Sequence, residues 1–192
     1  MTSPPTITER VAEMHATMAA QPPNEVMGAF AREQAGLATG GVPAGVAPAG
    51  TILPDAELLD VHGAATTLSV AVGRGTAVLV FYRGAWCPYC NIALSAYQQQ
   101  LLPELTGRGI RLVAVSPQKP DGSLTMQQKN NLAFTLVSDP GNTIADRTDT
   151  LPMPATAILD ASRTVRWIDV HPDYTTRTEP RQVIDALDHL KD

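Results

Sequence analysis

Cysteine is scarce in this chain, with two among 192 residues, and aromatic side chains make up only 5%. Basic charge is short as well: 14 Lys and Arg stand against 19 Asp and Glu, a net charge of −5. That deficit argues against nucleic acid or an anionic membrane as partner, since both call for a basic face. No apolar run approaches the roughly 20 residues that span a bilayer. The opening "MTSPPTITER" lacks a basic stretch followed by an apolar one, so a cytoplasmic protein without a secretory leader is expected. In that compartment thiols stay reduced, and a cysteine pair seldom serves as a structural staple. The histidines, His15, His62, His171 and His189, are not spaced as zinc ligands, so neither a metal nor a cofactor is expected. No internal repeat is present, and the length suits one well-buried domain.

What is present begins with two helices. "TITE" at 6–9 has the form of a capping box, and Ile7, Val11, Met14 and Met18 follow at helical spacing until Gln21-Pro22-Pro23 stops them. A second helix over 24–37 uses Val26, Met27, Phe30 and Leu37, and both helices are expected only to pack against the domain or a partner subunit. "ATGGVPAGVAPAG" at 38–50 offers almost no side chain to bury and reads as a linker or wrapping loop. The division is a helical extension and Gly/Pro/Ala linker at 1–44, then a domain at 45–192. In that domain "AVLVFY" (77–82), "IRLVAV" (110–115) and "FTLVS" (134–138) read as strands, with helices over 87–105 and 122–131, the latter opened by Ser123. "PATAILD" (154–160) and "TVRWIDV" (164–170) form a hairpin, and Pro180 opens a closing helix. The helix-linked strands must run parallel, and the hairpin adds an antiparallel pair: an α/β chain with a central mixed sheet flanked by helices.

Both cysteines fall in "GAWCPYCN", where the first of these strands gives way to a helix. Cys87 then sits at a helix N-terminus, where unpaired N–H groups and the positive end of the dipole favour a thiolate. Pro88 suits the first helical turn, and Cys90 lies three residues on, within reach of a small disulfide. This spacing is what thiol–disulfide exchange requires. On these grounds Cys87 is the expected attacking thiol, open to solvent, and Cys90 the covered, resolving one. Arg83 is a candidate to stabilise a thiolate and Trp86 to shield the sulfur; a surface arginine and a packing aromatic are the competing readings. Ser116, Gln118, Ser138 and Asp139 follow strands that end at the same sheet edge and are candidates for either site or turn roles. Trp167 and Tyr174 read as hairpin packing, and His171-Pro172-Asp173 as a turn.

"FYRGAWCPYC", "LVAVSPQ", "LVSDPGN" and "LPMPATAILD" together resemble the AhpC/TSA peroxiredoxin-like branch of the thioredoxin superfamily, over about residues 45 to 190. The resemblance implies a thioredoxin-like fold and a thiol-dependent antioxidant enzyme that cycles a Cys87–Cys90 dithiol and disulfide. Its substrate would be a peroxide or a disulfide, and its reductant thioredoxin or a low-molecular-weight thiol, with a homodimer as the candidate assembly. The chain departs from the family at its site. Where peroxiredoxins carry P-x-x-x-T-x-x-C, the Cys position is Cys90, the Thr position is Cys87 and the Pro position is Arg83. The family's peroxide-orienting arginine falls on Pro154. The thioredoxin pattern instead makes Cys87 the nucleophile and Pro154 a cis-proline beside it. The connection "NTIADRTDTLPMP" is short for this branch. A protein disulfide reductase without peroxidase activity, or a non-catalytic redox sensor whose partner surface is formed by the N-terminal helices, are the alternatives.

Overall fold

The computed structural model describes residues 4–20, 25–144 and 153–190. Its elements are α1 (Ile7–Ala19), α2 (Glu25–Gly40), β1 (Glu57–Leu59), β2 (Ala65–Thr67), α3 (Leu68–Val72), β3 (Ala77–Phe81) and α4 (Pro88–Ala96). A π-helical turn (Tyr97–Leu101) leads to α5 (Leu102–Gly107), β4 (Arg111–Ser116), α6 (Pro120–Asn130), β5 (Thr135–Ser138), β6 (Ala155–Leu159), β7 (Val165–Val170) and α7 (Pro180–His189). The strands form one sheet in the order β2-β1-β5-β4-β3-β6-β7. β3, β4 and β5 run parallel, as their helical crossovers require, and β6 and β7 add the antiparallel hairpin. Among the described residues no helix is long and apolar enough to cross a membrane.

The two sheet faces are covered unequally. Val78, Val80, Tyr82, Leu112, Ala114 and Ile158 point to a core filled by α1, α4, the π turn, α5, α6 and α7. Ala77, Leu79, Val113, Val137, Ala157 and Leu159 point the other way, to α3 and the stretch around Leu53. On that side a cavity of about 890 Å³ remains, roofed by Pro43–Pro48. A segment of Gly, Pro, Ala and Val has too little side-chain volume to fill the space it spans.

Several local expectations are met and others corrected. Thr6 and Glu9 form the capping box, and Ile7 and Val11 are buried in the core. The helix expected over 87–105 is interrupted: Pro103 near the start of α5 has no N–H to continue the ladder, and the chain ahead of it widens into the π turn. α6 opens at Pro120 after Lys119, ahead of Ser123. The β1–β2 hairpin and α3 escape a pattern reading because strands of three residues have no resolvable period. Gln21-Pro22-Pro23, the side chains of Val26, Met27, Phe30 and Ser123, and the connection over 145–152 lie outside the described residues.

Candidate active site around the cysteine pair

Cys87 is the N-cap of α4 and Pro88 its first residue, at the carboxyl edge of β3. Gly84 makes the turn between them. Its φ is +151°, and a Cβ there would come within 2.5 Å of Gln118 Oε1 and 2.6 Å of Trp86 Nε1. Only glycine tolerates both the backbone angle and the crowding. Gln118 shapes this turn, accepting the Ala85 N–H at 2.5 Å. Asn91 holds the loop from the helix side, donating to the carbonyls of Ala85 at 2.9 Å and Cys87 at 2.8 Å.

Both thiols are free and buried, Cys87 at 1% exposure and Cys90 at 0%. The expectation that Cys87 faces solvent is therefore corrected. What covers it is the loop between β7 and α7, which no motif singled out. Arg177 reaches in from this loop, its Nη2 3.4 Å from Cys90 Sγ and 3.9 Å from Cys87 Sγ. Its Nη1 donates to the carbonyls of Tyr174 and, at 2.6 Å, Thr176, so the guanidinium is held while 93% of its surface is out of solvent. The loop is fixed in turn. Tyr97 on the π turn donates to the Thr178 carbonyl at 2.7 Å, and Thr178 Oγ1 donates to Asp169 at 2.9 Å. Burial pushes the Tyr97 phenol up to about 12, which keeps it a neutral donor.

The electrostatics divide the pair. Burial pushes the Cys90 thiol up, but a hydrogen bond from Cys87, the Arg177 charge, the Arg83 N–H and a hydrogen bond from Arg177 outweigh it. The net effect lowers Cys90 to about 5. Cys87 is raised, first because its proton is shared with Cys90, then by burial and by the neighbouring negative charge. These contacts favour negative charge on Cys90, one turn inside the helix, over Cys87 at its first position.

The remaining expected site residues sit around this centre. Arg83 touches Cys90 through its backbone. Its guanidinium stacks 4.4 Å from the Tyr174 ring and 5.1 Å from Trp86, and pairs loosely with Glu33 of α2 at 3.6 Å. Trp86 is half exposed beside that guanidinium. Tyr174 is thus part of the site rather than of hairpin packing. The N-terminal helices do more than pack: His15 of α1 lies 2.9 Å from the Tyr89 hydroxyl in the CPYC turn, and Gln34 of α2 donates to Asp173 at 3.0 Å. Pro154 departs from expectation. No described peptide bond is cis, so Met153–Pro154 is trans. Pro154 lines the cavity on the far face, and its carbonyl accepts the His171 N–H at 2.9 Å, prolonging the β6–β7 ladder. The sulfurs are closed over by Arg177.

One signal for Arg177 was available in topology. β7 is antiparallel to β6 and β6 to β3, so β7 runs with β3 and its following loop opens on the same edge as Cys87.

Comparison with known proteins bears on this geometry. Residues 49–168 match the model of the AhpC/TSA family. A putative peroxiredoxin of Mycobacterium tuberculosis is 35% identical over 99 residues, covering 51% of this chain and 57% of that protein. The chloroplastic peroxiredoxin Q of Populus jackii is 31% identical over 140 residues, 69% of this chain and 62% of that one. The chain thus spans less than two thirds of either relative. Among solved structures, the peroxidoxin BcpB of Mycobacterium tuberculosis superposes with a TM-score of 0.61 at 22% identity, over 74% of this chain and 96% of that one. Peroxiredoxin Q of Xanthomonas campestris gives 0.59 at 22%, over 76% and 98%. The fold is thioredoxin-like, and with well over half of its length inside the family's model the chain belongs to the AhpC/TSA family.

Proposed function

We propose that this chain is a thiol-dependent peroxide reductase in which Cys90 attacks and Cys87 resolves. The observation that carries the reading is the Arg177 guanidinium beside both buried sulfurs, 3.4 Å from the one whose pKa is lowered. The Cys90 thiolate attacks the terminal peroxide oxygen; the O–O bond breaks, Cys90 becomes a sulfenic acid, and the departing alkoxide takes a proton. The proton comes from Cys87, which is held protonated next to the thiolate. The Cys87 thiolate then attacks the Cys90 sulfur, forming the disulfide and releasing hydroxide, which is protonated to water. A dithiol, or two monothiols, returns both cysteines to the reduced state. Arg177 takes the place of the arginine that the family carries where this chain has Pro154.

Burial favours a small oxidant. A protein disulfide needs a sulfur it can approach in line, and exposures of 1% and 0% do not offer one, whereas a peroxide needs only a narrow opening. A cytoplasmic setting fits a dithiol that must be kept reduced, and the same burial favours a small thiol over thioredoxin as the reductant.

The test is stopped-flow fluorescence of the reduced protein, using Trp86 beside the site, with hydrogen peroxide and separately with glutathione disulfide. Fast oxidation by peroxide is expected. Cys90→Ser should abolish it, and Cys87→Ser should keep one turnover and stop at a sulfenic acid that dimedone traps. Rapid reaction with the disulfide alone, or loss of the first step in Cys87→Ser with its survival in Cys90→Ser, would return the roles to the thioredoxin order.

A further inference from the structure

The cavity of about 890 Å³ lies across the sheet from the sulfurs, and the redox chemistry makes no use of it. Its floor follows the register of three strands. Phe81, Ala155 and Val170 form one row, Ala157 and Ile168 the next, and Val165 lies beyond. From Val170 to Val165 the trough is roughly 16 Å long at the usual rise of a strand. The alanines of β6 leave it open between the larger side chains of β3 and β7. Apart from the hydroxyl residues Thr51 and Thr143, the polar part of the described lining is at the Phe81 end, where Arg83, Glu33 and Tyr174 meet. The size is that of a small-molecule pocket, roughly 300–1,000 Å³, apolar with a few polar groups that set orientation.

The ion pair at the charged end is loose. Arg83 is 5% exposed, whereas the Glu33 side chain is 48% exposed and stands off at 3.6 Å, beyond hydrogen-bond length. A buried guanidinium is best met by a carboxylate in a bidentate arrangement. Glu33 marks the direction from which one arrives but does not close on it.

We propose that this cavity binds a linear amphipathic carboxylate, its chain along the β6–β7 trough and its headgroup on Arg83 in place of Glu33. A neutral head would forgo the ion pair, and a cationic head would be repelled. The site shares Arg83 and Tyr174 with the surroundings of the cysteines but does not involve the sulfurs, so it is tested on the reduced protein and on the Cys87→Ser/Cys90→Ser double variant alike.

Isothermal titration with decanoate, decanol and decyltrimethylammonium, each below its micelle concentration, reads the proposal directly. Decanoate is expected to bind at a single site, with the other two weaker by about tenfold or more. Arg83→Met should weaken decanoate by a similar factor and leave decanol unchanged. Ile168→Trp, which fills the trough, should remove both. Glu33→Gln, at the solvent side, should tighten decanoate severalfold, and this variant together with the ligand series on the unaltered chain carries the test if Arg83→Met folds poorly. Equal binding of acid and alcohol, no binding of decanoate, or affinity untouched by Glu33→Gln and Ile168→Trp would overturn it.

Discussion

Arg177 is the cation that favours charge on Cys90, acting beside the hydrogen bond from Cys87. Replacing it with Met removes the cation and the hydrogen bond that offset burial of Cys90, so the Cys90 pKa should climb back toward a free thiol's 9.0. Alkylation by iodoacetamide near neutral pH should then slow by roughly tenfold for each unit of the rise. Arg177→Lys should recover part of the rate; an unchanged pH profile in Arg177→Met would remove the arginine from the mechanism. The cysteines and Pro88 were legible in the sequence because their chemistry is local, a strand end, a helix start and a three-residue spacing. Arg177 was not, because it lies 87 residues from Cys90 and carries no motif. The same distance explains why the sequence alone favours Cys87: helix position is local, whereas the Arg177 guanidinium that stands nearer Cys90 comes from another loop.

Glu179 joins the first helix to the last. It is the N-cap of α7, and its carboxylate also accepts the N–H groups of Ile7 at 2.9 Å and Thr8 at 2.8 Å, the opening turn of α1. One anion thus meets the positive ends of two helices. Glu179→Ala should cost about 2 kcal/mol, the sum of two lost caps, and hydrogen exchange should quicken at Ile7 and Thr8 well before the strands. Stable α1 amides in that variant would mean that burial of Ile7 and Val11 holds the helix alone. The strands β3 and β4 could be read in advance because each holds a run of apolar, mostly branched residues, and β5 because Leu136 and Val137 sit between β-formers and a turn. The β1–β2 hairpin could not, since its position comes from one pairing, Leu59 with Ser138, that is distant in sequence.

Across the whole molecule, the divided pair ties stability to pH in the reduced state. Cys90 is depressed on folding, so its contribution is complete above a free thiol's 9.0 and is lost as the pH falls through about 5. Cys87 is raised, so its contribution is present below that value and fades as the pH rises past it. The urea midpoint of the reduced protein, taken relative to Cys90→Ser, should climb between pH 5 and 9 and fall above. A flat difference across that window would mean that the two sulfurs do not share their proton unequally. The sheet itself carries the other large-scale asymmetry, with most of the helices packed on one face and only the short α3 and a small-residue strap on the other.

Arg177, Thr178 and Glu179 are consecutive, and between them they touch the sulfurs, the π turn and the first helix. On the ribosome this tripeptide emerges long after the cysteines do. At ordinary elongation rates the delay over 87 residues is on the order of 10 s. Through that interval Cys90 has no guanidinium beside it and titrates without that help. The contact between guanidinium and sulfur thus arrives only with closure of the chain, so a nascent or truncated polypeptide lacks the cation that the finished fold sets beside Cys90.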